Sequence, residues 1–505
     1  MVTALALSHG VKEAGIVAAA LLAAAAVLAP GARLRAGAML GALVLTPVLL
    51  VAEIWDTPQF EPVRDRPILA LAGAAMALVV IAALARAFDR RPALFALAVV
   101  FVLPFRVPIE SGGDTSNLLV PLYAVIAAGA LAFIVPRLRG RRDDADEPRA
   151  GVVEWLLVGS VVLYAVQGSY SSDFTRALEQ VVFFYVPFVL LFSLLLHVAW
   201  TPEVLRRCLW VLAALAALFC AVGFYEYATQ TILLNPDVIA TNQFQSYFRV
   251  NSLFFDPNIF GRFLAVVMVA LAAALLWSAR GRSALLVALA LAVAWGGLVL
   301  TLSQSSLLAL LAGLAVLAAL RWSLRATAGA ILVGAAIAVV VVAAFPGAVR
   351  LDLEDSKGRE AATSGRADLI RGGAELFAER PLQGFGSGSF TTEYRRAERV
   401  SGEAAGDASH TIPLTIASEQ GVGGLLLYLA LLVAAFLRLL RGARSSPRRA
   451  AIAAAFTALV VHTQLYAAFL EDPLTWTLLG VGTVLAWGAR DSAGDAVGDR
   501  DPEPA

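Results

Sequence analysis

The residues of this chain that could do chemistry are few, and they gather in its second half. Arg249 stands in the stretch Phe248-Arg249-Val250-Asn251-Ser252-Leu253-Phe254-Phe255-Asp256-Pro257-Asn258, just ahead of an apolar run that opens near Ile259. Asp256 or Asn258 can cap a helix there, and Arg262 falls one turn into it. A guanidinium at that depth must be paired or must face a wet cavity. Two arginines beside a helix N-terminus suit an anion, phosphate above all. Arg366, in Ser364-Gly365-Arg366, opens a second helical pattern. The helix dipole disfavours a cation at that position, which points to an external anion or to pairing with an acid such as Asp368. Arg371 is spaced for a surface pair with Glu375. The turn Pro381-Leu382-Gln383-Gly384-Phe385-Gly386-Ser387-Gly388-Ser389-Phe390 carries three alternate glycines. It could bring backbone N–H groups to a ligand, or simply reverse the chain. His410 immediately precedes the apolar run from Ile412, a boundary position where an imidazole can act as general base or proton shuttle near neutral pH.

Absences narrow the chemistry. There is no HExxH, no Walker A sequence and no pair of cysteines with metal-ligand spacing. Asp352, Glu354 and Asp355 lie close together without marking a convincing metal site, so no metal and no cofactor are expected. Cys208 and Cys220 read as small core residues. Of the other histidines, His9 is terminal and His197 sits near a helix end. His462, inside a late apolar run with Glu471-Asp472-Pro473 beyond it, is a secondary candidate with a buried structural role as its simpler explanation.

The elements that must position these groups follow from composition. Of 505 residues, 59% are hydrophobic and 15% charged, and the mean hydropathy is +0.77. Apolar runs of roughly 17 to 25 residues recur from end to end, which excludes a soluble globular chain and predicts an all-α, polytopic membrane protein of about 12 to 15 transmembrane helices. Arginines then sort by alternate loops. One set holds Arg33/Arg35, Arg86/Arg90/Arg91, 137–149, Arg206/Arg207, Arg280/Arg282, Arg321/Arg325 and 438–449; the other set holds mainly acids. The positive-inside rule makes the first set cytoplasmic. The 227–258 loop, the Ser303-to-Ser306 hairpin and the 346–411 loop are then all external.

The chain divides accordingly. Residues 1–136 form N-terminal transmembrane helices, and 137–150 a charged cytoplasmic linker. Residues 151–345 form a second block that carries the 227–258 loop. A large external loop follows at 346–411, then C-terminal helices at 412–490 and an acidic cytoplasmic tail at 491–505 that is expected to be disordered. A mainly polar segment of roughly 65 residues between two late helices is too long for a linker and marks a functional loop. Within it, Arg366 to Arg380 has a helical period, with Leu369, Ile370, Leu376 and Phe377 expected on one face, Ser364 as N-cap and Pro381 as the stop.

Taken in order, Arg249 with Asp256-Pro257-Asn258, Thr301-Leu302-Ser303-Gln304-Ser305-Ser306-Leu307, Ser364-Gly365-Arg366, Pro381-Leu382-Gln383-Gly384-Phe385-Gly386, Ser409-His410 and Glu419-Gln420-Gly421-Val422-Gly423-Gly424 resemble the O-antigen ligase/polymerase superfamily over about 248–470. The resemblance implies a metal-independent, inverting membrane glycosyltransferase of the bacterial inner membrane with an external active site. Its donor would be a glycan on polyprenyl (undecaprenyl) diphosphate, its acceptor a glycan or a lipid-linked glycan, and nucleic acid no partner. By the same resemblance Arg249 and Arg366 would hold the diphosphate and His410 would be the base. Arg371, Gln304, Asn258, Gly384 and Gly386 are candidate supporting residues. The family often has an arginine in the Ser303 hairpin where this chain has Gln304, a cation that Arg262 could supply. Ligase and polymerase share these features. The competing class is a polysaccharide exporter or lipid-linked-sugar flippase, which requires charged residues lining a path through mid-membrane.

Overall fold

The computed structural model describes residues 7–55, 61–111, 114–141, 150–234, 248–277, 279–344, 366–398, 411–466 and 468–498. The chain is a polytopic helical membrane protein: among the described residues, ten helices are long and apolar enough to cross a bilayer, with shorter apolar helices between them. The first block runs α1 (His9–Leu28), α2 (Ala32–Ile54), a short α3 (Glu61–Asp65), α4 (Pro67–Arg90), α5 (Ala93–Val102) and α6 (Val120–Leu138). The second begins with α7 (Val152–Gly168) and a span made of α8 (Phe174–Gln180), a π-helical turn at Val181–Tyr185 and α9 (Val186–Leu196). It continues with α10 (Pro202–Thr229), α11 (Pro257–Trp277), α12 (Arg282–Thr301), α13 (Gln304–Arg321) and α14 (Leu324–Ala344). The late polar segment supplies α15 (Arg366–Glu379) and α16 (Phe390–Glu398), and the chain closes with α17 (Ile412–Leu440), α18 (Pro447–Thr463) and α19 (Pro473–Gly498).

Local chemistry sets many of these boundaries. Pro67, Pro202, Pro257, Pro447 and Pro473 each open a helix, where a missing N–H costs nothing and the fixed φ is already helical. Thr201, Ser303 and Ser446 cap α10, α13 and α18 through their hydroxyls. Small residues then let backbones approach: a Cβ on Gly297 would stand 2.4 Å from Cys220 Sγ, and one on Gly313 would stand 2.5 Å from Val269 Cγ2.

The two blocks pack on one another, α1 on α7 and α9, and α6 on α9. Two features depart from the sequence expectation. Between α5 and α6 the chain forms an antiparallel hairpin, β1 (Val107–Ser111) with β2 (Asp114–Leu118), Val107 opposite Leu118. Its sequence signal is the dipeptide Gly112-Gly113, itself outside the described residues, a pair favoured between hairpin strands. Finally, α19 continues to Gly498, past the point near Arg490 where the span was expected to end and a disordered tail to begin.

Candidate functional site

The C-terminal ends of α12 and α18 meet the N-terminal ends of α11 and α13, and a shared cavity adds the end of α5 and the start of α19. That end of the bundle holds most of the expected site residues that the structure describes. Helix α11 begins there because Asp256 Oδ1 accepts the amides of Asn258 at 2.5 Å and Ile259 at 3.2 Å. Its Oδ2 takes the Tyr466 hydroxyl at 3.0 Å. Burial and the Asp256 carboxylate together hold that phenol protonated, well above its ordinary range.

Arg249 is fixed by two different elements. Helix α12 ends at Leu302, whose φ of 51° is left-handed, and this leaves the Thr301 carbonyl without a helical partner. Arg249 Nε donates to that carbonyl at 2.9 Å, and Nη2 donates to Asn258 Oδ1 at 3.1 Å. A cation at a helix C-terminus also sits favourably in the dipole. Asn258 Oδ1 is shared with the Ser303 hydroxyl at 2.8 Å. Ser303 in turn lies 2.8 Å from Ser306 Oγ, and His462 Nε2 stands 3.2 Å from Ser306 Oγ and 3.3 Å from Ser305 Oγ. A buried polar chain thus runs from His462 in α18, through the α13 cap, to Arg249. Gly261 makes room for it, since a Cβ there would stand 2.5 Å from Ser306 Oγ.

One turn into α11, Arg262 is neither solvated nor snorkelling. It is 2% exposed, and its Nη2 lies 2.7 Å from Asp472 Oδ2, itself in a side chain 3% exposed. Asp472 Oδ1 also caps α19 through the Leu474 amide at 2.9 Å. Arg262 Nε and Nη1 have no hydrogen-bond partner among the described residues. Both side chains line a small cavity of about 20 Å³, room for about one water, whose third charged wall is Arg106. Burial lowers the Arg106 pKa, partly offset by the nearby Asp472 carboxylate.

The glycine-rich turn is a docking device. Its amides are taken from within the chain: Gly384 N by Arg380 O at 3.0 Å, Phe385 N by Ser418 O at 3.1 Å and Gly386 N by Glu419 O at 2.9 Å. Gly388 N and Phe390 N both donate to the Glu419 carboxylate, at 2.9 and 3.1 Å. Helix α17 is kinked at Gly421, φ 65° and ψ −166°, to accept the turn. The far side rests on the α7–α8 connection, where Ser171 Oγ donates to Ser387 O at 2.8 Å and Tyr170 donates to Gln383 O at 2.8 Å. Helix α15 packs over α17 with Leu369 and Leu376 buried against Phe385, Phe390 and Tyr394. The expected apolar face is corrected in register, because Ile370 is 45% exposed. Gly373, against Leu414, takes its place with close backbone packing.

The structure therefore joins Arg249, Asn258 and Arg262 to one end of the bundle. Gln304 is the exposed first residue of α13, beside the serine network rather than in it. Arg366 heads α15, and Arg371 makes its surface pair with Glu375 at 3.9 Å. His410, with Ser364 and Gly365, lies outside the described residues. Sequence reasoning missed Arg106, the partnership of His462 with Ser305 and Ser306, the use of Asp472, and Glu419. Only Arg106 had a local signal, as a lone arginine at an acid-rich end of the spans. Glu471 faces the other way from Asp472 and accepts the Tyr185 hydroxyl at 2.7 Å, on the π-helical turn.

No curated protein matches the chain. Residues 289–429 match the family model described as O-Antigen ligase, a stretch that runs from α12 into α17 and takes in the whole late polar segment, and this match supports the resemblance to the O-antigen ligase/polymerase superfamily.

Proposed function

We propose that the chain is a metal-independent glycosyltransferase that transfers or polymerises a glycan carried on a polyprenyl diphosphate, working at the external face of a bacterial inner membrane. The observation that carries this reading is the Arg249 guanidinium, pinned by Thr301 and Asn258 at the same helix ends as Arg262. Such a cation is held in place before the reaction, as stabilisation of a leaving diphosphate requires. The acceptor hydroxyl attacks the anomeric carbon, and the bond from that carbon to the diphosphate oxygen breaks. The diphosphate departs with the electron pair onto Arg249 and Arg366, while His410 takes the hydroxyl proton. In-line attack inverts the anomeric configuration.

The transporter alternative calls for charges along a mid-membrane path. Among the described residues, buried charged side chains such as Arg35, Arg137, Glu154, Glu226, Arg262 and Glu419 lie within about two turns of a helix end. That distribution supports an interfacial active site. The test is transfer of a lipid-linked glycan in proteoliposomes by wild type, Arg249→Ala, Arg366→Ala and His410→Ala. Each substitution is expected to lower turnover by about a hundredfold or more. Near-wild-type turnover in all three would overturn the assignment.

A further inference from the structure

The Arg249 guanidinium is held by Thr301 and Asn258, but it can rest there only if its own backbone is fixed as well. That backbone lies outside any helix or strand. Val250, Asn251 and Ser252, which follow it, are fully buried. Ser252 has a φ of 54°, a left-handed conformation that is strained for a residue with a Cβ and persists only where its surroundings enforce it. Part of that hold comes from α12, where Leu300 O accepts the Val250 amide at 3.2 Å. The rest comes from α10. Ser252 Oγ donates to Phe219 O at 2.8 Å, and the amides of Asn251 and Ser252 both donate to Glu226 Oε2, at 3.2 and 2.8 Å. The Asn251 side chain adds nothing, since its oxygen and nitrogen meet no partner among the described residues.

Glu226 is itself fully buried. Its other oxygen, Oε1, accepts the Leu233 amide at 3.2 Å, where the chain continues beyond the end of α10. All three of these partners are main-chain amides. Burying a carboxylate is unfavourable, and a glutamine of the same shape would avoid it. An amide has only one acceptor oxygen, however, and its NH₂ would face an N–H. Three amide protons arriving at both oxygens need the acid. We propose that Glu226 is a positioning residue for Arg249, fixing the main chain at 251–252 so that the guanidinium reaches the Thr301 carbonyl and Asn258 together. The inference rests on the reading of Arg249 as a group that stabilises the leaving diphosphate, and it adds to that reading a residue of α10 that acts through the main chain.

The experiment measures transfer of a lipid-linked glycan in proteoliposomes, per folded protein, for Glu226→Ala and Glu226→Gln, each in the wild-type chain and in Arg249→Lys. The lysine background has lost the fork and kept the charge, so turnover stays measurable. In the wild-type chain Glu226→Ala is expected to lower kcat by about tenfold to a hundredfold, the effect of moving a charge-stabilising group by about an ångström. Glu226→Gln should lower it by about threefold to tenfold, because one oxygen can still serve Asn251 and Ser252. In Arg249→Lys each should lower it by less than about twofold, since residues that act through one another are not additive. Hydrogen exchange at 249–252 should quicken in both variants while the first half of α10 exchanges as in wild type. Should Glu226→Ala fail to fold, Glu226→Gln makes the same comparison. Equal losses in the two backgrounds, wild-type turnover in the Glu226 variants or unchanged exchange at 249–252 would each overturn the positioning role and leave the functional reading standing. Wild-type turnover in Arg249→Lys would instead remove the role of Arg249, and the role of Glu226 with it.

Discussion

At the residue scale, the two arginines of α11's threshold are held in different ways, and they should fail in different ways. Arg262 and Asp472 form a buried pair, so Asp472→Ala strands a cation in a low-dielectric interior and should cost about 3–5 kcal/mol of stability. Replacing both, Arg262→Met with Asp472→Leu, should recover most of that loss in a thermal unfolding experiment while leaving glycan transfer impaired. A double variant as unstable as the single one would contradict the pairing. Arg249 is instead gripped through its fork, and Arg249→Lys cannot reach both Thr301 and Asn258. Its folding should be unchanged and its transfer reduced by about tenfold to a hundredfold. Glu471 adds a pH signature. Burial raises its carboxyl above 4.5, a shift only partly opposed by the Tyr185 hydroxyl. Its protonated form is therefore favoured in the folded chain, and that contribution is lost as pH rises through the raised value. Glu471→Gln should lose less stability than wild type as pH rises above the ordinary carboxylate range; parallel stability–pH curves for the two proteins would refute the shift.

At the element scale, the kink of α17 and the glycine turn form one lock. A Cβ on Gly421 would stand 2.4 Å from the Leu382 carbonyl oxygen, and one on Gly384 would stand 2.2 Å from Glu419 O. Both glycines also have positive φ, where L side chains are strained. Neither clash can be relieved by a rotamer, because both involve backbone. Gly421→Ala or Gly384→Ala should therefore undock the 381–398 segment, seen as faster hydrogen exchange there than in α11 or α13. Glu419→Gln should weaken the lock less, since an amide oxygen can still accept one of the two amide protons from Gly388 and Phe390. If the three variants exchange like wild type, the turn is not held by α17.

At the scale of the whole molecule, two ties bind the early and late parts of the chain. At one end the α7–α8 connection receives the glycine turn, with Thr392 Oγ1 donating to Asp173 Oδ2 at 2.7 Å. At the other, Arg438 of α17 makes a two-pronged pair with the fully buried Glu154 of α7, at 2.9 and 3.3 Å. These ties fasten α7 and α8 to the late helices at both ends, and the first block joins that unit through α1 on α7 and α9 and α6 on α9. Sidedness follows as a prediction. A cysteine placed at exposed Leu382 should react with a membrane-impermeant thiol reagent from outside the cell, and one at Arg444 only from the cytoplasm. Labelling of both from the same side would invert the proposed orientation.

The sequence by itself determined the helices and much of what ends them, because apolar length, proline starts and hydroxyl caps act within a few residues of themselves. It also brought Arg249, Asn258 and Arg262 to one end of the bundle, since these share a single loop and the helix that follows it. Only the tertiary structure decided what those groups touch. Arg106 shares a cavity with Asp472, His462 reaches Ser305 and Ser306, and Glu419 engages Gly388 and Phe390. The first two partnerships join residues more than a hundred positions apart. In the third, the acid's partners are main-chain amides, which every residue type but proline supplies. Helix packing sets such contacts, and neither a periodicity nor a local motif carries the information to foresee them.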